Sequence, residues 1–122
     1  MTPPVFETVN TPAVRALLKT STGELRVYAW GMAPQNVAKP YVVWQFVGGT
    51  PENFLADRPD MDGSTVQFDV YATSSASARA VAEALRYAIE LRAYVTFIRG
   101  EGRDPETMNY TYGFDSDWFT PR

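Results

Sequence analysis

An alternating segment that leads directly into an amphipathic helix constrains the fold of this chain most. From Ser64 to Thr73 apolar and polar residues alternate, which predicts a β-strand with one buried face. The apolar face of that strand carries Val66, Phe68, Val70 and Ala72. A helix is predicted next, from about Ser75 to Arg92, with an apolar stripe of Ala78, Val81, Ala82, Leu85, Ala88 and Ile89. Because the stripe needs cover, we expect the helix to pack back onto the sheet that contains the strand.

The remaining patterns predict one shorter helix and four more strands. Thr11 can cap the helix and Pro12 suits its first position. The additional strands are predicted at Leu25–Trp30, Tyr41–Val47, Tyr94–Arg99 and Tyr110–Trp118. The order α-β-β-β-α-β-β predicts an α+β fold over residues 1–122. In it, two helices pack on one face of a single antiparallel or mixed sheet of about five strands.

A long connection separates the second and third predicted strands, at about residues 50–63. Connections of this length are usually functional, and Phe54, Leu55 and Met61 would be poorly placed in a loop left in water. We therefore expect this segment, called the arm below, to dock on another surface.

The composition limits the chemistry available to the chain. Cysteine and histidine are both absent, which excludes thiolate metal sites, Ser-His-Asp catalysis and Cys-His catalysis. The net charge of −3, from 11 Lys+Arg against 14 Asp+Glu, provides no broad positive field for nucleic acid. The N-terminal residues lack the pattern of a signal peptide, and no apolar run is long enough to span a membrane. We expect no metal, no cofactor and no membrane partner.

Three local patterns suggest chemistry, and each has a simpler interpretation. Asp60-Met61-Asp62-Gly63 resembles part of a calcium loop, but the two outer ligand positions do not fit. The first needs a carboxylate and falls on Arg58, and the last needs a bidentate Glu and falls on Asp69. Gly100-Glu101-Gly102 is more typical of a tight turn than of a phosphate-binding loop. Asp115 and Asp117 share a strand face, but no pattern indicates a catalytic cleft around them. We expect no enzymatic activity.

Arginines and aromatic residues suggest contacts between subunits. Arg58, Arg99 and Arg103 lie in or beside predicted loops with acidic neighbours, which favours intersubunit salt bridges over nucleic-acid binding. Several aromatic residues are predicted on the sheet face that the helices leave open: Tyr28, Trp30, Tyr71, Tyr110, Tyr112 and Trp118. These residues are either the ordinary second face of a sheet or part of a subunit interface, and both interpretations stay open.

The order of these motifs resembles the DUF3168 family of phage tail-terminator and tail-completion proteins. The matching segments are the loop Ala33-Pro34-Gln35-Asn36, the strand Pro40-Tyr41-Val42-Val43-Trp44-Gln45, the strand from Val66 to Ala72 with Thr73-Ser74-Ser75 after it, and the aromatic strand from Tyr110 to Phe119. The resemblance implies a structural virion protein located in the tail or neck and made in the host bacterial cytoplasm. It implies a ring, usually hexameric, that caps the tail tube and joins it to the head–tail connector. DNA would pass through this ring without sequence-specific contacts.

On this basis we expect the subunit interface to include Phe54, Leu55, Arg58, Met61, Tyr110, Tyr112 and Trp118. The expected partners are further copies of the chain, the major tail tube protein and the connector or stopper protein. Two alternatives remain: another neck component, such as an adaptor or stopper, or a small monomeric ligand-binding α+β domain.

Overall fold

One hydrophobic core joins three helices to one five-stranded sheet. The computed structural model describes residues 3–52 and 61–121, with side chains over residues 3–48 and 63–120. The helices are α1 (Val5–Val9), α2 (Pro12–Leu18) and α3 (Ser75–Ile89). The strands are β1 (Val27–Ala29), β2 (Tyr41–Glu52), β3 (Met61–Ala72), β4 (Tyr94–Arg103) and β5 (Tyr110–Pro121).

The sheet has the strand order β1-β2-β3-β5-β4. β1 runs parallel to β2, and every other neighbouring pair is antiparallel. The long connection through α3 carries the chain over the sheet, so that β4 adds outside β5 and β5 returns beside β3. The predicted fold class, an α+β protein with a single mixed sheet of five strands, is confirmed.

The core lies between α3 and the central strands of the sheet. The predicted apolar face of β3 is fully buried: Val66, Phe68, Val70 and Ala72 each have 0% exposure. Every residue of the predicted stripe on α3 is buried as well. Phe68 stacks on Phe114 of β5 with ring centroids 5.1 Å apart, which joins the neighbouring strands β3 and β5 in the core.

Side-chain caps define where the two predicted helices begin. Thr11 accepts a hydrogen bond from the amide of Val14, and Ser74 accepts one from the amide of Ser77. The sequence patterns did not predict α1, because five residues are too few to show a helical period. Val5 and Val9 of α1 are nonetheless buried in the core.

The strands β2 and β4 extend further than predicted at their ends, and β3 does so at its start. The arm was predicted from about residue 50 to 63, but both of its ends belong to strands, which pair as far as Glu52 opposite Met61. Gly100-Glu101-Gly102 is part of β4, in which a bulge shifts the pairing register between Ile98 and Gly100 (φ +85°). The turn follows later, where Asp104 accepts hydrogen bonds from the amides of Glu106 and Thr107. These bonds to the carboxylate lower the pKa of Asp104.

The core position Leu85 allows a direct test of this packing. We expect Leu85→Ala to lower the free energy of unfolding by roughly 2–5 kcal/mol, because the residue is completely buried and its loss leaves a cavity. On the same helix Tyr87 is 77% exposed, and Tyr87→Ala should change stability by no more than about 0.5 kcal/mol. Urea unfolding of both variants measures the difference, and equal effects would contradict the assigned helix orientation.

Candidate assembly surfaces

The sheet face opposite α3, called the open face below, is polar in its centre. Within the described residues no helix packs on it, and its central positions on β3 and β5 are partly exposed. Those positions are Thr65, Gln67, Asp69, Thr111, Asp115 and Asp117, whereas Gly113 in the same row is buried. A polar surface of this kind can remain solvated, and it offers little apolar area for a partner to cover.

One arginine ties three strands together across this open face. Arg99 of β4 donates from Nε to Asp115 of β5 at 2.9 Å and from Nη1 to Asp69 of β3 at 2.7 Å. Its Nη2 donates to the backbone carbonyls of Phe68 and Phe114. Burial alone would lower the pKa of Arg99, but the hydrogen bonds and charges of Asp69 and Asp115 together raise it, so the cation is permanent. Arg99 was predicted to form intersubunit salt bridges, and the structure instead engages it within the chain.

Gly113 provides the space in which Arg99 lies. A Cβ atom at this position would stand 2.6 Å from Nη1 of Arg99 and 3.0 Å from a carboxylate oxygen of Asp69. The guanidinium can therefore lie flat on the sheet only because residue 113 has no side chain.

A tyrosine pair occupies one corner of the open face. Tyr41 of β2 and Tyr71 of β3 face each other in the ladder and stack with ring centroids 5.0 Å apart. Burial, and next the negative charge of Asp69, raises the pKa of Tyr71, while burial followed by the charge of Asp104 raises that of Tyr41. Both phenols therefore stay neutral at physiological pH, which suits packing and excludes a phenolate nucleophile at this corner.

Three of the aromatic residues predicted on the open face lie on the opposite one. Trp118 is buried, with 2% exposure, and its indole nitrogen donates to Ser116 at 2.8 Å. Tyr110 and Tyr112 pack against the hydrophobic core. The predicted alternation of β5 is correct, but the aromatic residues were assigned to the wrong face of the sheet. Aromatic and polar residues alternate along β5, and the sequence does not show which of the two sets meets α3. Trp118 retains too little surface for a subunit contact, whereas Tyr110 and Tyr112 remain partly accessible.

Most of the exposed apolar side chains lie at the two lateral edges of the sheet, and the others, among them Tyr87 and Leu91, lie elsewhere on the surface. At the β4 edge they are Tyr94 (67% exposed), Phe97 (60%) and Ile98 (44%), with Phe119 of β5 against Tyr94. At the other edge they are Trp30, Met32, Phe46 and Val47. Of these residues the sequence patterns singled out only Trp30, because an exposed residue on an edge strand has the same spacing as a buried one on a central strand.

The predicted contacts of the arm fall mainly outside the described residues. Phe54, Leu55 and Arg58 lie outside them, and Met61 is described only as the first residue of β3. In the calcium-loop interpretation, residues 61–63 would belong to a loop, but the structure places them in a strand paired on both sides.

The two carboxylates that were considered as an acid–base pair contact separate partners. Asp115 binds Arg99, while Asp117 accepts a hydrogen bond from the Thr65 hydroxyl at 2.9 Å. Arg103 lies over the Tyr110 ring at 4.7 Å and donates to the Met108 carbonyl, so it too is engaged within the chain. Within residues 3–52 and 61–121, no three acidic groups gather as a metal site requires. None of the helices described is long and apolar enough to cross a membrane.

These features define a small α+β protein whose available surfaces are two sheet edges and a polar sheet face. The family model described as tail completion protein gp17 matches residues 8–120, so the chain belongs to this family of phage tail-completion proteins. The predicted resemblance to tail-completion proteins is confirmed, under this family description in place of DUF3168. The family is one of structural phage tail proteins, which places the chain in the virion tail or neck.

A solved structure has the same fold. The gp17 protein of bacteriophage SPP1 aligns with a TM-score of 0.57 and 13% sequence identity, covering 97% of this chain and 86% of that one. Among curated proteins, none matches the sequence.

The fit between Arg99 and Gly113 can be tested by a double-mutant cycle. We expect Gly113→Ala to lower the free energy of unfolding by roughly 1–3 kcal/mol, because the new methyl group displaces the guanidinium. In an Arg99→Ala background the same substitution should cost less than about 1 kcal/mol, since the closest clashing atoms are gone. Chemical denaturation of the four proteins measures the coupling, and an equal cost in both backgrounds would contradict it.

Proposed function

We propose that this chain is the tail-terminator subunit of a phage, which forms a ring, most simply a hexamer, on the last ring of the tail tube. The match of residues 8–120 to the tail-completion family carries this proposal. The ring stops further growth of the tube and presents the surface to which the head–tail connector or stopper protein attaches. No step in this function is catalytic.

The distribution of apolar surface supports a ring. A closed ring needs two different patches on each subunit, one complementary to the other. The chain has two separate apolar edges on opposite sides of one sheet, while the centre of the open face is polar. A two-fold dimer would need only one such patch.

The polar open face also fits the passage of DNA. Its described centre carries three carboxylates, Asp69, Asp115 and Asp117, against one guanidinium, Arg99. A surface with this balance does not attract the phosphate backbone and would not hold DNA as it passes. We therefore assign no sequence-specific nucleic-acid contact to the protein.

The arm is assigned to the contact with a neighbouring subunit or the tube. β2 and β3 lead into it as a paired ladder that continues to Glu52 and Met61. Phe54, Leu55 and Met61 are the proposed apolar anchors, with Arg58 pairing an acidic group of the neighbour. Tyr110 and Tyr112 are kept as secondary contacts, and Trp118 is not.

Particle morphology tests the assigned role. In particles assembled without this protein, we expect tails that exceed the normal length or fail to join heads, because the tube end is left uncapped. Electron microscopy of negatively stained lysates measures tail length and the fraction of joined particles. Tails of normal length that lack only a neck layer at their end would favour an adaptor or stopper instead.

Substitution in the arm tests its part in assembly. We expect Phe54→Ser with Leu55→Ser to reduce the assembled fraction by on the order of tenfold, because two apolar anchors are lost. The matched control is Tyr87→Ser with Leu91→Ser, which removes two exposed apolar side chains from the α3 side of the molecule. Light scattering gives the mass of each variant at equal concentration. Unchanged assembly of the arm variant would remove the arm from the interface.

A further inference from the structure

We infer that neighbouring subunits join by antiparallel pairing of β4 of one copy with the outer edge of β2 of the next. The inference rests on the ring proposed above and names the contact that closes it. It would make one sheet continuous from subunit to subunit, and the partner it requires is a second copy of this chain.

The first observation is that each side of the sheet ends in an unpaired strand edge. β4 is last in the strand order and pairs only with β5 along its length, Tyr94–Arg103. On the other side, β1 is only three residues long and covers β2 from Val42 to Trp44. Beyond Trp44, within the described residues, β2 pairs only with β3 as far as Glu52. Both edges therefore present backbone N–H and C=O groups that can accept another strand.

The second observation is the relative direction of these two edges. Along the sheet, β2, β3, β5 and β4 alternate in direction, so β4 runs opposite to β2. A second copy added at the end of the sheet in the same orientation therefore places its β2 antiparallel to β4. Antiparallel pairs are the more stable kind, and they need no crossover or reorientation of either chain.

The third observation is that apolar side chains on the two edges match face by face. Ile98 on β4 lies on the α3 side of the sheet, opposite Phe114, and Phe46 on β2 lies on that side too, opposite Val66. Both are exposed, at 44% and 51%. Joining the edges would place Ile98 and Phe46 on the same face of the continuous sheet. Natural proteins protect a sheet edge with charges, prolines, bulges or covering loops. Both edges here contain bulges, and the second half of β4 is charged, but the first half of β4 and β2 near Phe46 carry exposed apolar side chains. Exposed apolar side chains on an edge are typical of a strand that receives a partner.

Edge pairing also agrees with the polar open face. Because a continuous sheet keeps its two faces separate, every subunit would turn α3 to one side of the ring and its open face to the other. The polar centre of the open face could then stay in contact with water all around the ring.

Cross-linking of engineered cysteines tests the pairing directly, because the chain has no cysteine of its own. The test variant combines Phe46→Cys with Ile98→Cys, treated with a short bismaleimide. Within one chain these positions are separated by three strand spacings, or about 14 Å, and cross-linking there cannot increase the mass. We expect a ladder of covalent multimers on a denaturing gel that ends at the ring mass. If light scattering shows that the purified protein forms a ring, the purified protein is cross-linked. If it shows a monomer, purified particles are cross-linked instead.

Two control variants decide between contacts. Phe46→Cys with Tyr87→Cys moves the second thiol from the β4 edge to an exposed position on α3 and should give no ladder. Ile98→Cys alone should stay monomeric on the gel, and a covalent dimer would show that β4 pairs with itself, which overturns the inference. A ring without a ladder in the double-cysteine variant overturns it as well and leaves the proposed function standing. Absence of any ring in solution and in particles overturns both.

Charge placed on the edge gives an independent test. We expect Phe97→Lys with Ile98→Lys to raise the concentration needed for half-assembly by on the order of tenfold or more, because lysine on an edge strand opposes pairing. The matched control, Tyr87→Lys with Leu91→Lys, adds the same charge at two exposed apolar positions outside the edge and should assemble as the parent does. Circular dichroism verifies that both variants are folded. Equal assembly of the two variants would contradict edge pairing.

Discussion

A sheet covered by helices on one face only is the constraint on which the rest of this structure depends. α3 buries the apolar face of β3 and β5, the two N-terminal helices pack against α3 and join the same core, and the other face is left to water. That second face cannot be apolar in a stable chain unless a partner covers it. Here it is polar, and Arg99 connects β4, β5 and β3 across it through two carboxylates and two backbone carbonyls.

Most of the exposed apolar side chains lie at the edges of the sheet. An open sheet always has two edges, and small proteins usually protect them. In this chain they carry exposed aromatic and aliphatic residues, among them Phe97 and Ile98 on one side and Phe46 on the other. In the proposed assembly the contact surfaces lie beside the sheet, and the polar centre of the open face stays in contact with water. This arrangement agrees with a family of tail-completion proteins, whose members work as parts of a larger particle.

Much of the fold could be predicted because helices and strands differ in period. The stripe on α3 and the alternation of β3 are local patterns that one packing arrangement satisfies, and the caps at Thr11 and Ser74 are local chemistry. Features that depend on distant partners were missed or misplaced. Trp118 alternates correctly within β5, yet which face of β5 meets α3 depends on how β5 pairs with β3. The residue of β3 opposite Trp118 is Ser64, more than fifty residues away in the sequence. Arg99 was expected to bind a neighbour because its acidic partners come from two other strands.

The sequence by itself determined the α+β class, the order of the main elements, the apolar faces of β3 and α3 and, through the order of its motifs, the resemblance to tail-completion proteins. These features follow from the spacing of apolar residues and from residue types with strong local preferences, such as helix caps. Only the tertiary structure decided that β5 inserts between β3 and β4, that Gly113 makes room for Arg99, and that two unpaired edges lie at opposite ends of the sheet. Strand pairing brings together residues far apart in the chain, and local spacing contains no information about which strands become neighbours.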